Sequence, residues 1–121
     1  MEKILVNVPY LEGNDVNSDG SIKSYVCKGK KLLMMVQGNF CGYCTKAKPD
    51  FQKLANNGRF NIATVQIDGG KSDSEASQKL SAVNKARGVP AYLCFNENGK
   101  YIASHEGGRD GNALAEFMSK N

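Results

Sequence analysis

The chain has 121 residues, of which 40% are hydrophobic and 23% charged, and carries a formal net charge of +4. That length suits one domain with one core, and the balance excludes both a disordered polyelectrolyte and a membrane-embedded chain. The apolar runs at 32–36 and 91–95 fall far short of the roughly 20 residues a bilayer span needs, and Ile4, Leu5 and Val6 are too few for a secretory signal, so a cytoplasmic location off the membrane is expected unless a leader has been removed, which would allow the periplasm.

Taken in chain order, Lys3 to Val8 carries a short β-branched pattern that predicts an edge strand, and the Asn-, Asp-, Gly- and Ser-rich stretch from Glu12 to Lys23 reads as a loop. Lys28, Lys30 and Lys31 form the densest basic cluster, in a glycine-containing segment that suits a solvated turn; nucleic acid is not an expected partner. Leu32 to Gln37 is a continuous apolar run bounded by lysines and Gly38, as a strand buried on both faces requires. From Cys44 the apolar positions Ala47, Phe51, Leu54 and Ala55 recur at helical spacing until Asn56-Asn57-Gly58 stops the helix, with Pro49 inside it as a kink.

Phe60 to Ile67 then reads as a strand ending at Asp68-Gly69-Gly70. Ser72 with Glu75 predicts a capping box, followed by a stripe of Ala76, Leu80 and Val83 until Gly88 and Pro90 close the helix. Ala91 to Phe95 is the next strand, Asn96-Glu97-Asn98-Gly99 turns it into Tyr101 to His105, and Asp110 caps a last helix facing inward with Leu114, Phe117 and Met118. The order is that of an α/β fold with a central βαβ unit and a mixed sheet.

Of the four cysteines, Cys27 and Cys94 stand alone, whereas Cys41 and Cys44 form a C-x-x-C at the start of a helix. Positions i and i+3 lie one turn apart, within reach of a disulfide, so both redox states are accessible. Cys41 sits where unpaired backbone N–H groups and the helix dipole favour a thiolate, and its pKa is expected to fall; Cys44, one turn inside, is expected to be more buried and less acidic. One sulfur is thus suited to attack and the other to resolve.

Phe40-Cys41-Gly42-Tyr43-Cys44 after a buried strand, Pro49 in the helix, Gly88-Val89-Pro90 before a strand, the Asn98-Gly99 turn and Gly107 before the last helix together resemble thioredoxin, over roughly Lys31 to Lys120. The resemblance implies a single thioredoxin-like domain over 1–121, with residues 1–30 as a divergent N-terminal segment. It also implies a central mixed sheet flanked by helices on both faces. It further implies a nucleophilic Cys41, a resolving Cys44, a cis proline at Pro90 facing them, and a substrate groove formed with Phe40, Gly42, Tyr43, Val89 and Gly107. Phe40 replaces the usual tryptophan and Tyr43 the usual proline, and Gly-Tyr between the cysteines is similar to periplasmic disulfide isomerases. Met35 stands where thioredoxins bury an aspartate and Thr64 where its lysine partner would be; Glu106 replaces an apolar groove residue.

The function these readings imply is thiol–disulfide exchange with protein or peptide disulfides, by a monomer that holds no cofactor or metal and is recycled by a redox partner of unspecified identity. Two alternatives stay open: an oxidase or isomerase in an oxidising compartment, and a non-catalytic thioredoxin-fold binding module whose C-x-x-C binds metal or staples the helix. Zinc would need further ligands from Cys27, Cys94 or His105, and none of these forms a second close pair. His105 reads as a packing or surface residue, and Cys27 and Cys94 as reduced thiols of the core. Asp15 to Ile22 matches the first half of a calcium loop, but Val26 occupies the position of its bidentate glutamate, so a polar turn is expected.

Overall fold

The computed structural model describes residues 5–84, 88–105 and 107–121. Strand β1 (Leu32–Gln37) is buried at all six positions, as its unbroken apolar sequence requires. It pairs in parallel with β2 (Asn61–Gln66) and antiparallel with β3 (Ala91–Phe95), which pairs antiparallel with β4 (Tyr101–His105), in the order β2-β1-β3-β4. Alternation along β1 sends Leu33 and Met35 to one face and Leu32, Met34 and Val36 to the other.

Helices α2 (Gly42–Asn57) and α4 (Gly111–Lys120) cover the first face through Ala47, Phe51, Leu114 and Phe117. The second is covered by α3 (Lys71–Leu80), through Ala76 and Leu80, and by the short α1 (Ser24–Cys27) with Leu11, Val16 and Ile22. This is the expected mixed sheet with helices on both faces. No helix among the described residues is long and apolar enough to cross a membrane.

The segment before α1 departs from its expected form. No strand spans 5–8, and Lys3 and Ile4 lie outside the described residues. The backbone of Val6 is taken instead by the Gln52 side chain, which accepts from its N–H at 2.7 Å and donates to its carbonyl at 2.8 Å. Asn7 then turns the chain at φ 61. Sheet pairing is displaced to Tyr10, which bridges Thr64, with Thr64 N–H donating to Pro9 and Leu11 N–H to Thr64, both at 2.9 Å. The polar loop that follows buries two apolar anchors, Val16 and Ile22, which bridge each other. Ile22 N–H donates to Gly99 O at 2.7 Å, and at Gly99 (φ 83) any Cβ would collide with the Ile22 carbonyl.

The Ser72/Glu75 capping box does not form, because α3 begins two residues earlier than that box requires, with Gly70 as its N-cap. Ser72 Oγ accepts instead from Gly13 N–H at 3.2 Å, and Glu75 packs beneath Gly13, so both residues hold the N-terminal loop on α3. The helix stops at Leu80, short of the Val83 expected in its stripe. Ser81 Oγ donates to the Gln78 carbonyl, and the turn that follows tightens, with Val83 N–H donating to Leu80 O at 3.0 Å.

Candidate active site

Strand β1 delivers the chain to a turn at 38–40 just before α2. The Asp68 carboxylate, immediately after the parallel neighbour β2, accepts from Asn39 N–H at 2.9 Å and from Phe40 N–H at 3.3 Å. Adjacent strand ends are thereby tied together through the loop that carries Cys41. The space above Gly38 is filled by the Phe40 ring, which lies 2.7 Å from where a Cβ would stand.

Cys41 is the N-cap of α2: its backbone is extended (φ −92, ψ 109), and its Sγ accepts the Cys44 N–H at 3.0 Å. A sulfur in the N-cap position satisfies one of the orphan donors of the first turn, as a serine hydroxyl would. The same thiol donates to the carbonyl of Val89 at 3.4 Å. The Val89–Pro90 peptide is cis, with Val89 half-buried and Pro90 buried.

Both thiols of the C-x-x-C are free, yet their environments differ. Cys41 keeps 7% exposure and Cys44 none. Burial pushes the Cys44 thiol up to about 12, its hydrogen bond with Cys41 adds to the rise, and the Gly38 N–H and the Lys48 cation oppose it. Lys48, one turn further along α2, is itself buried.

Lys48 supplies a cation near Cys44, whereas the buried positions Met35 and Thr64 carry no charge. Thr64 Oγ1 donates to the Met35 carbonyl at 2.7 Å and accepts from Gln37 Nε2 at 2.9 Å, a network without a titratable group. Tyr92, the cross-strand neighbour of Met35, has a buried hydroxyl with no hydrogen-bond partner among the described residues, and burial raises its pKa.

Around Cys41 the surface is aromatic: Phe40 is 72% exposed, Tyr43 is 65% exposed, and Gly42 between them is open. Gly107, at φ 142, opens the exposed loop before α4. That loop reaches the dithiol through Arg109, whose guanidinium lies 5.6 Å from the Tyr43 ring centroid. Phe40, Cys41, Gly42, Tyr43, Cys44 and the Val89–Pro90 segment thus come together, with the Gly107 loop alongside. Glu106 lies outside the described residues.

Asp68, Lys48, Arg109 and Tyr92 were not picked out by sequence reasoning. Asp68 read only as the end of a strand, and nothing local to it signals the loop it holds.

The remaining candidates sit elsewhere. His105 packs on Phe117 at a ring distance of 5.0 Å, and its Nε2–H donates to Gly108 O at 2.7 Å. Cys27 and Cys94 are buried, and burial raises both thiols. In the candidate calcium loop, Asp19 accepts from Ser21 N–H at 2.9 Å and Ser21 Oγ at 2.6 Å, and Asp15 accepts from Glu12 N–H at 2.8 Å and Tyr25 OH at 2.7 Å, so these carboxylates serve the turn itself.

Comparison with known proteins carries the same features. The family described as the thioredoxin-like domain matches residues 19–121. The chain belongs to this family.

The 453L protein of Invertebrate iridescent virus 6, which bears the name thioredoxin-like, is 32% identical over 127 residues, covering 92% of this chain and 91% of that one. The protein disulfide-isomerase of Ricinus communis is 26% identical over 95 residues, covering 78% of this chain but only 19% of its own length. The thioredoxin of Aeropyrum pernix superposes with a TM-score of 0.67 at 13% identity over 84% of this chain and 88% of its own, which shows the shared fold. The relatives place the chain among thioredoxin-like and thiol–disulfide oxidoreductase domains.

Proposed function

We propose that this thioredoxin-like protein exchanges disulfides with protein or peptide substrates through Cys41 and Cys44. The observation that carries the reading is the asymmetry of the dithiol. Cys41, 7% exposed, caps a helix N-terminus with its Sγ accepting the Cys44 N–H at 3.0 Å, whereas Cys44 has no exposure and its thiol is pushed up to about 12.

The chemistry follows from that asymmetry. Cys41 thiolate, its charge received by the Cys44 N–H and the first turn of α2, attacks one sulfur of a substrate disulfide. A new S–S bond forms between Cys41 and the substrate, the old one breaks, and the first substrate thiolate leaves and takes a proton from water. Cys44 then gives its proton to solvent and attacks Cys41 Sγ. The second substrate thiolate departs and the Cys41–Cys44 disulfide forms: the substrate has gained two electrons and the protein has lost them. A redox partner supplies electrons for the next round.

Phe40, Gly42, Tyr43, Val89, Pro90 and Gly107 form the face that receives the substrate. The Val89 carbonyl accepts the Cys41 thiol in the resting dithiol. Once Cys41 has lost its proton to become a thiolate or a mixed disulfide, that carbonyl has no donor and is open to an N–H of an extended peptide.

The reading is tested by reduction of insulin with dithiothreitol as electron source. Acceleration by the wild type and loss of it in Cys41→Ala are expected. A wild type no faster than dithiothreitol alone overturns the proposal.

A further inference from the structure

Tyr43 lies between the two cysteines, and cations from two different elements stand against its exposed ring. Lys46 Nζ from α2 is 6.0 Å from the ring centroid, and the Arg109 guanidinium from the loop before α4 is 5.6 Å from it. Both distances lie within the reach of cation–π attraction, which holds the charges beside the aromatic face rather than dispersed in solvent. Both residues are exposed.

Among the described residues neither charge pairs with a carboxylate within 4.0 Å: the ion pair there is Glu116–Lys120, at the other end of α4. Two acids near this face are engaged with backbone donors. Asp110 accepts the Ala113 N–H at 2.7 Å as the N-cap of α4, and Asp68 holds the Asn39 and Phe40 amides on the far side of Cys41. A polypeptide approaching Cys41 along Tyr43 therefore meets an aromatic surface edged by two positive charges that form no ion pair among the described residues.

We infer that the preferred substrates are polypeptide disulfides whose cysteine is flanked by Asp or Glu, with Lys46 and Arg109 selecting the carboxylates. This rests on the exchange reading above and adds the chemical class of substrate. The attraction acts between solvent-exposed charges, so it favours encounter and orientation and weakens as salt rises.

The test uses the full chain and three mixed-flank peptide disulfides, identical except for Glu, Gln or Lys beside the cysteine. Rates of reaction with the reduced protein are followed by quenched chromatography at low and high ionic strength. The Glu peptide is expected to react about three- to tenfold faster than the Lys peptide at low salt, with the gap closing near 0.5 M salt, about what two exposed charge pairs supply. In the Lys46→Glu/Arg109→Glu protein the order of the Glu and Lys peptides should invert. Equal rates for all three peptides, or an order unmoved by the double substitution, overturn the acid preference while leaving the exchange reading in place. Failure of every peptide to react overturns both.

Discussion

The backbone N–H of Cys44 donates to the Sγ of Cys41 at 3.0 Å, so Cys44 holds Cys41 by its peptide group while its own sulfur stays buried beneath. The interaction is built into the helix start and survives truncation of the Cys44 side chain, because the donor is main chain. The N-cap geometry of Cys41 therefore belongs to α2 and not to the pair of thiols.

It follows that Cys44→Ala should keep the first step and lose the second. Mixed disulfides should accumulate on Cys41, and Cys41→Ala should trap none. Intact-mass and peptide mapping after incubation with a peptide disulfide decide this; adducts found chiefly on Cys27 or Cys94 would contradict the assignment.

The buried thiols also fix how stability depends on pH. A thiol raised from its ordinary value of 9.0 to about 12 in the fold ionises first in the unfolded chain. Cys44 thus favours folding fully below pH 9, and that contribution is lost as pH climbs toward the folded value; Cys27 and Cys94, also raised, act in the same direction. Urea midpoints of the reduced protein should fall between about pH 9 and 11, at a limiting slope of about 1.4 kcal/mol per pH unit for each thiol. Cys44→Ala should show a shallower fall. An equal slope in the variant would assign the loss to other groups.

Elements whose residues decide their own conformation were legible in the sequence: β1, β3 and β4, the α2 stop at Gly58, and the α4 cap at Asp110 all lie where pattern and turn chemistry put them. What was not legible depends on partners distant in the chain. Residues 5–8 form no strand, and Gln52, a residue of α2, takes the Val6 backbone. Ser72 does not cap because Gly13 claims its hydroxyl. The same holds at the site. The C-x-x-C announces itself, but the support of its loop by Asp68 and the approach of Arg109 to Tyr43 exist only once β2 and α4 are packed beside α2.

Asp68 accordingly offers a test of that support. Its carboxylate accepts from two successive amides of the loop before Cys41, and Asp68→Ala returns those N–H groups to water. Because the site is exposed, the loss of stability should be modest, about 1 kcal/mol. The orientation of Cys41 should suffer more, seen as a several-fold change in its alkylation rate by iodoacetamide in the Cys44→Ala background, with Asp68→Asn intermediate. Alkylation rates that match the parent would reduce Asp68 to a surface loop residue.

The lack of a carboxylate at position 35 leads to the final prediction. Met35 is fully buried against Cys44 and Tyr92 in one core cluster, and the polar groups near it, Thr64 and Gln37, do not titrate. A carboxylate at this position would be desolvated, its pKa raised, and it would titrate near the pH range in which the resolving step is measured. Without one, resolution in the wild type should follow ionisation of the thiols alone, with water taking the Cys44 proton. Met35→Asp should add a carboxylate titration to the resolving rate in a stopped-flow pH series with a peptide disulfide. It should also destabilise the fold by several kcal/mol at neutral pH, on the order expected for an unpaired buried polar group. The sign is fixed by linkage: the unfolded aspartate releases its proton at lower pH than the folded one, so the variant is least destabilised in acid and loses stability as pH rises to its folded pKa. A wild-type resolving rate that already carries a carboxylate titration would mean that another acid serves Cys44 and that the neutrality of the Met35 site has no kinetic consequence.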